Sequence, residues 1–207
     1  MLGELFMITT LYLIRHAQSI GNEKKLFGGI TDYELSELGL KQADSLAIKL
    51  QDYKIDGIYS SPLRRTIQTI TPTAESKNLK INIEENLKEL SCGSWENRLR
   101  SELYDLYPEI INYIDETGNF RGMQGQEEMI EAQNRMYNTI KKIAIENAGK
   151  NVIITTHLVA TRAFLCKILN IPFEKTEEKI GDIKNTGITT ITYDTDLDKF
   201  EVLKIGE

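Results

Sequence analysis

The chain has 207 residues, of which 41% are hydrophobic and 27% charged, and a formal net charge of −6. That length suits one domain with a full core, with or without a small cap, and the acidic balance argues against nucleic acid as a non-specific partner. No apolar run approaches the roughly 18 residues that a membrane-spanning helix requires, so no membrane partner is expected.

The first residues, from Met1 to Met7, hold no basic segment and no cleavage signature, and do not read as a signal peptide. Residues 1–6 read as an extension ahead of the first element. Residues 8–14 (ITTLYLI) form an apolar, β-branched run that ends in turn residues, the pattern of a buried strand in a parallel sheet. A polar, glycine-bearing loop spans 21–31. A helix then begins near Ser36, which offers its N-cap, and Ala43, Leu46, Ala47 and Leu50 make its inner face. Residues 57–60 are a short strand. Ser61 and Pro62 open the next helix, with the proline in its first turn, and Pro72 ends or bends it. Residues 80–83 read as a third strand.

Residues 99–125 are less regular and carry Pro108, Gly118, Gly122 and Gly125, as an inserted cap would. A long helix over about 126–147 places Met129, Ala132, Met136, Ile140 and Ile143 on one face. Residues 151–155 are a buried strand, followed by a helix over 158–169. The end, 186–205, alternates like two antiparallel strands around 194–198. Alternating strands and helices predict an α/β fold. We expect three α/β/α layers, a mainly parallel central sheet and a small helical cap insertion, all in one domain over residues 1–207. Cys92 and Cys166 form no metal-spaced pair; free thiols in a reducing cytoplasm are the expectation.

Only two histidines occur, and both stand where a strand gives way to a turn or helix. His16 follows Arg15 at the end of the first strand, where open α/β sheets bind ligands. A fixed guanidinium beside an imidazole suits phosphate chemistry. Arginine holds phosphoryl oxygens through a planar fork, and a neutral imidazole nitrogen can attack phosphorus. His157 ends the 151–155 strand in the same way, and Arg65 and Glu89 follow the second and third strands.

The run RHAQSIGN resembles the opening signature of the histidine phosphatase superfamily, which includes the cofactor-dependent phosphoglycerate mutases. Arg15, His16, Gln18, Ser19 and Asn22 match, and Ala17 stands where glycine is usual. Residues 29–43, 60–69, 87–96 and 185–189 resemble further family blocks, so the likeness spans 11–190. Two departures stand out. His157-Leu158-Val159 replaces the usual His-Gly-Gly, which narrows the pocket, and residues 122–127 match the family's cap motif loosely.

The resemblance implies a phosphatase acting through a phosphohistidine. His16 is the nucleophile; Arg15, Arg65 and protonated His157 neutralise the phosphoryl oxygens; Asn22 and Ser19 add neutral donors. Glu89 is the general acid and then the base. No cofactor and no metal is implied. The chain's length points to the shorter phosphatase branch and a small phosphorylated metabolite, such as alpha-ribazole phosphate, a sugar phosphate or a phosphoglycerate. A cap with Tyr104, Tyr107, Tyr113 and Phe120 hints at a partly aromatic substrate. Two alternatives stay open: a cofactor-dependent phosphoglycerate mutase, and a non-catalytic phospholigand-binding module. A homodimer along a sheet edge is compatible with the sequence.

Overall fold

The computed structural model describes residues 7–207, so the reading of residues 1–6 lies outside it. Strand β1 (Ile8–Arg15) leads through the short helix α1 (Ile20–Glu23) to α2 (Glu37–Lys49), then β2 (Gly57–Ser60), α3 (Arg64–Ser76) and β3 (Ile81–Ile83). Helices α4 (Arg100–Leu106) and α5 (Pro108–Thr117) precede the long α6 (Met129–Glu146). Then follow β4 (Asn151–Thr156), α7 (Leu158–Leu169), α8 (Thr176–Lys179), β5 (Ile188–Asp194) and β6 (Lys199–Lys204).

The strands form one six-stranded sheet in the order β3-β2-β4-β1-β5-β6. Pairings from β3 through β1 are parallel, and β5 is antiparallel to both β1 and β6. The sheet is therefore mainly parallel. Residue alternation divides its two faces. Leu11, Leu13, Val152 and Ile154 pack under α6 and α7, against Met136, Ile140 and Phe164. Ile14, Ile58 and Ile153 face the other way, against Leu46 and Leu50 of α2 and Ile70 of α3. Because helices cover both faces, β4 is buried from Val152 to Thr156 and shows no polar alternation.

Two local expectations change, and a third gains detail. Leu63, in extended conformation, caps α3, so Pro62 lies outside that helix rather than in its first turn. Of the two outcomes expected at Pro72, an end or a bend, the end does not occur: the helix continues to Ser76 with Ile70, Thr73 and Ala74 buried, Ile70 and Ala74 in the core that holds the sheet residues Ile58 and Ile153. Tertiary packing outweighs the one backbone bond a proline removes. Residues 99–125, where a helical cap insertion is expected, hold two helices. Pro108 starts α5, and Gly118 ends it in the left-handed conformation at φ 72°. These helices share a small separate core, with Leu103, Ile111 and Ile114 against Phe27, Trp95 and Met123.

Candidate active site

The β1–β4 register pairs Arg15 with Thr156, so the next residue on each strand, His16 and His157, leaves the sheet side by side. Their ring centroids lie 5.2 Å apart at 59°, and the His16 amide donates to the Thr156 carbonyl at 3.0 Å. Two residues separated by most of the chain thus meet at the carboxyl edge of the parallel strands.

His16 is only 5% exposed and lines a cavity of about 300 Å3. Its Nδ1 lies 2.7 Å from the carbonyl of Ala17, and a carbonyl only accepts, so Nδ1 carries the proton. The lone pair is then on Nε2. Burial pushes the His16 pKa well below 6.5, and the guanidinium groups of Arg65 and Arg15 push it the same way. Flanking backbone is braced. Ala17 N–H donates to Thr69 Oγ1 at 2.8 Å, and Asn185 Nδ2 donates to the His16 carbonyl at 2.7 Å.

Two arginines flank that ring. Arg15 Nη1 donates to the Ile183 carbonyl at 2.5 Å and lies 3.5 Å from Asp182, whereas its Nε is buried with no acceptor among the described residues. The Arg15 side chain also lines the cavity, where a guanidinium suits an anionic ligand. Arg65, 3% exposed, donates to the carbonyls of Thr31 and Gly29, both at 2.7 Å, and through Nε to His157 Nδ1 at 3.3 Å. Its neighbour Arg64 points outward and pairs with Asp32 and Glu34.

His157, the expected cation, sits between Arg65 and Ser61. It is fully buried, and burial together with Arg65 holds its pKa well below 6.5. With Nδ1 accepting from Arg65, the single proton of the neutral ring sits on Nε2, which donates to Ser61 Oγ at 2.9 Å. The ring is not part of the cavity wall. In this conformation it acts on the arginine instead of facing the cavity.

Glu89 lines the cavity, with its carboxylate seated on the first turn of α7. Oε1 accepts from Leu90 N at 2.9 Å and Ala160 N at 2.8 Å; Oε2 accepts from Val159 N at 3.1 Å. A helix amino end suits a carboxylate because its first N–H groups lack intrahelical partners. Leu158 and Val159 occupy this turn at ordinary negative φ, so it does not require glycine. Their side chains do enter the cavity wall, with Leu90 and Phe120. Ser19 and Asn22 also line the cavity. They form a capping box on α1, in which Asn22 Oδ1 accepts from Ser19 N and Oγ, both at 3.1 Å. Asn22 Nδ2 is therefore the free donor of the pair.

Of the cap aromatics, Phe120 alone reaches the cavity. Tyr107 stacks on Trp95 with centroids 5.3 Å apart, Tyr113 bonds Asn119, and Tyr104 is exposed. Their number therefore does not argue for an aromatic substrate. Arg162 donates to Glu177 and the Gly181 carbonyl, away from the cavity. Two further residues brace the site's loops. Glu96, which stands in the 87–96 block that resembles the family, ties residues 30–31 to Cys92. Arg135 donates to the carbonyls of Asn86, Lys88 and Glu89 and pairs with Glu127. In the sequence only its charge marks Arg135, and many solvated residues share that.

Comparison with known proteins gives the family. The family described as "Histidine phosphatase superfamily (branch 1)" matches residues 11–206. Phosphoserine phosphatase 1 of Hydrogenobacter thermophilus is 34% identical over 165 residues, covering 80% of this chain and 78% of that protein. A probable phosphoglycerate mutase, GpmB, of Yersinia pestis is 28% identical over 187 residues, covering 88% and 84%. The solved structure of Bacillus stearothermophilus YhfR superposes with a TM-score of 0.88 at 25% identity, over 96% of this chain and 97% of that one. This chain belongs to branch 1 of the histidine phosphatase superfamily, and it is a phosphatase or phosphoglycerate mutase-like enzyme.

Proposed function

We propose that the enzyme hydrolyses a small phosphomonoester through a phosphohistidine on Nε2 of His16. The observation that carries this reading is the His16–Ala17 hydrogen bond, which leaves the Nε2 lone pair free on a ring that lines one cavity with Arg15 and Arg65. Nε2 attacks phosphorus in line, and the bond from phosphorus to the leaving oxygen breaks. Arg15 and Arg65 offset the charge on the non-bridging oxygens. Asn22 Nδ2 adds a neutral donor.

Glu89 takes up the proton that a phosphomonoester monoanion brings into the cavity and passes it to the leaving oxygen. Its Oε2 makes a single protein hydrogen bond, so it is the oxygen suited to carry that proton. As a carboxylate, Glu89 then takes a proton from the water that attacks the phosphohistidine, and inorganic phosphate leaves with His16 regenerated. His157 orients Arg65, and an arriving phosphoryl dianion opposes the positive field that keeps the imidazole neutral.

The named relatives support a phosphorylated metabolite of modest size, and phosphoserine is the first natural compound to try. A cavity near the small end of ligand sites agrees with that choice. The likeness to GpmB favours one second reading, a mutase. Turnover of p-nitrophenyl phosphate, phosphoserine and 3-phosphoglycerate in EDTA tests both, the last with and without 2,3-bisphosphoglycerate. We expect phosphate release from the monoesters, and a loss of at least about a thousandfold in His16→Ala. Isomerisation of 3-phosphoglycerate that depends on the bisphosphate would replace hydrolysis with the mutase reading. Activity retained in His16→Ala would sink the phosphohistidine.

A further inference from the structure

Glu96 touches no wall of the cavity, yet its carboxylate is fully engaged. Oε1 accepts from Ile30 N at 3.0 Å and Cys92 N at 2.8 Å; Oε2 accepts from Thr31 N at 3.0 Å and Thr31 Oγ1 at 2.7 Å. All four lone-pair directions of an ionised carboxylate are then used. The peptide between Gly29 and Ile30 faces two charges at once. Its N–H donates to Glu96, and its carbonyl accepts from Arg65 Nη2 at 2.7 Å. The Thr31 carbonyl, one residue on, accepts Arg65 Nη1.

We propose that Glu96 is a positioning residue for phosphate binding, acting on Arg65 through the 29–31 loop. This rests on the phosphatase reading above. Aligned in series, the carboxylate, the peptide dipole and the guanidinium polarise one another. The loop carbonyls fix the plane of Arg65, which leaves its Nε on His157 and its face beside His16. Gly29 permits the approach: at φ 41° a Cβ there would lie 2.0 Å from Glu96 Oε1, so any side chain would displace the carboxylate. A carboxylate is needed where four donors converge, because an amide would turn its own NH2 towards two of them.

The test measures inorganic phosphate as a competitive inhibitor of p-nitrophenyl phosphate hydrolysis. In Glu96→Gln we expect the inhibition constant to rise about tenfold, the usual loss when a charge-assisted hydrogen bond fails. In an Arg65→Lys background, the same substitution should change that constant less than about twofold, because the two act on one contact. A rise that is equally large in the Arg65→Lys background overturns the proposal, as does an unchanged constant with a lower kcat. Should Glu96→Gln not fold, Thr31→Val removes one donor to the same carboxylate and should raise the constant about threefold, again only with Arg65 present. A wild-type protein that neither hydrolyses the ester nor binds phosphate would refute the phosphatase reading itself. An active wild type with unaltered variants would refute only the role of Glu96.

Discussion

His16 and His157 are the chain's only histidines, and the fold keeps both below their ordinary range through burial and neighbouring arginines. The sign of the effect on stability follows directly. The native state binds fewer protons than the unfolded chain at any pH between the depressed values and 6.5. Stability is therefore fully present above pH 6.5 and is lost as the pH falls through the native values. Melting temperature measured from pH 8 to pH 5 should drop on the acid side, and His157→Asn should reduce that drop. A flat profile would mean the two rings are not held neutral. The same field serves chemistry, because a nucleophile that resists protonation stays available in mildly acidic solution. His16, Arg15 and Arg65 were legible because each sits in a dense motif just after a strand. The protonation state of His157 was not, since it depends on which ring nitrogen meets Arg65, a tertiary contact.

Helix α6 supports the site from beneath, through Arg135. Its guanidinium binds the Glu127 carboxylate and three carbonyls of the segment carrying Glu89. Arg135→Met would leave a partly buried carboxylate and those carbonyls without their donor. Chemical denaturation should show a loss of about 2–4 kcal/mol, and kcat should fall with little change in the affinity for inorganic phosphate. A loss below about 0.5 kcal/mol would make the cluster an ordinary surface pair. At this scale the sequence was readable wherever period and packing agree. The face built from Met129, Ala132, Met136, Ile140 and Ile143 is buried as its spacing implied. Reading failed where local chemistry competes with tertiary contact. Pro72 by itself marks a helix end or a bend, but the helix does not end there, and Thr73 and Ala74 beyond it are buried. The glycines of 99–125 hide where the two cap helices begin and end, and one residue that buries them, Phe27, comes from a distant segment.

Two cores on the sheet faces and a third beneath α4 and α5 are joined by polar bridges, with Glu96 and Arg65 among them. The chain's single tryptophan, Trp95, sits in that third core, so its fluorescence reports there while far-UV dichroism reports the whole. We expect the two thermal transitions to coincide, as they do in one cooperative unit. An earlier fluorescence transition would show that the helices α4 and α5 melt separately. The cavity lined by Arg15, His16 and Arg65 extends this coupling beyond the protein. Any anion that binds the native state there and not the unfolded chain is thermodynamically part of the fold. At a hundred times its dissociation constant it stabilises the protein by about 2.7 kcal/mol. Melting temperature in phosphate buffer should therefore exceed that in a buffer without a small oxyanion. A panel of unreacted phosphorylated compounds could then be ranked by heat alone, against a variant lacking Glu89 that binds without turning over.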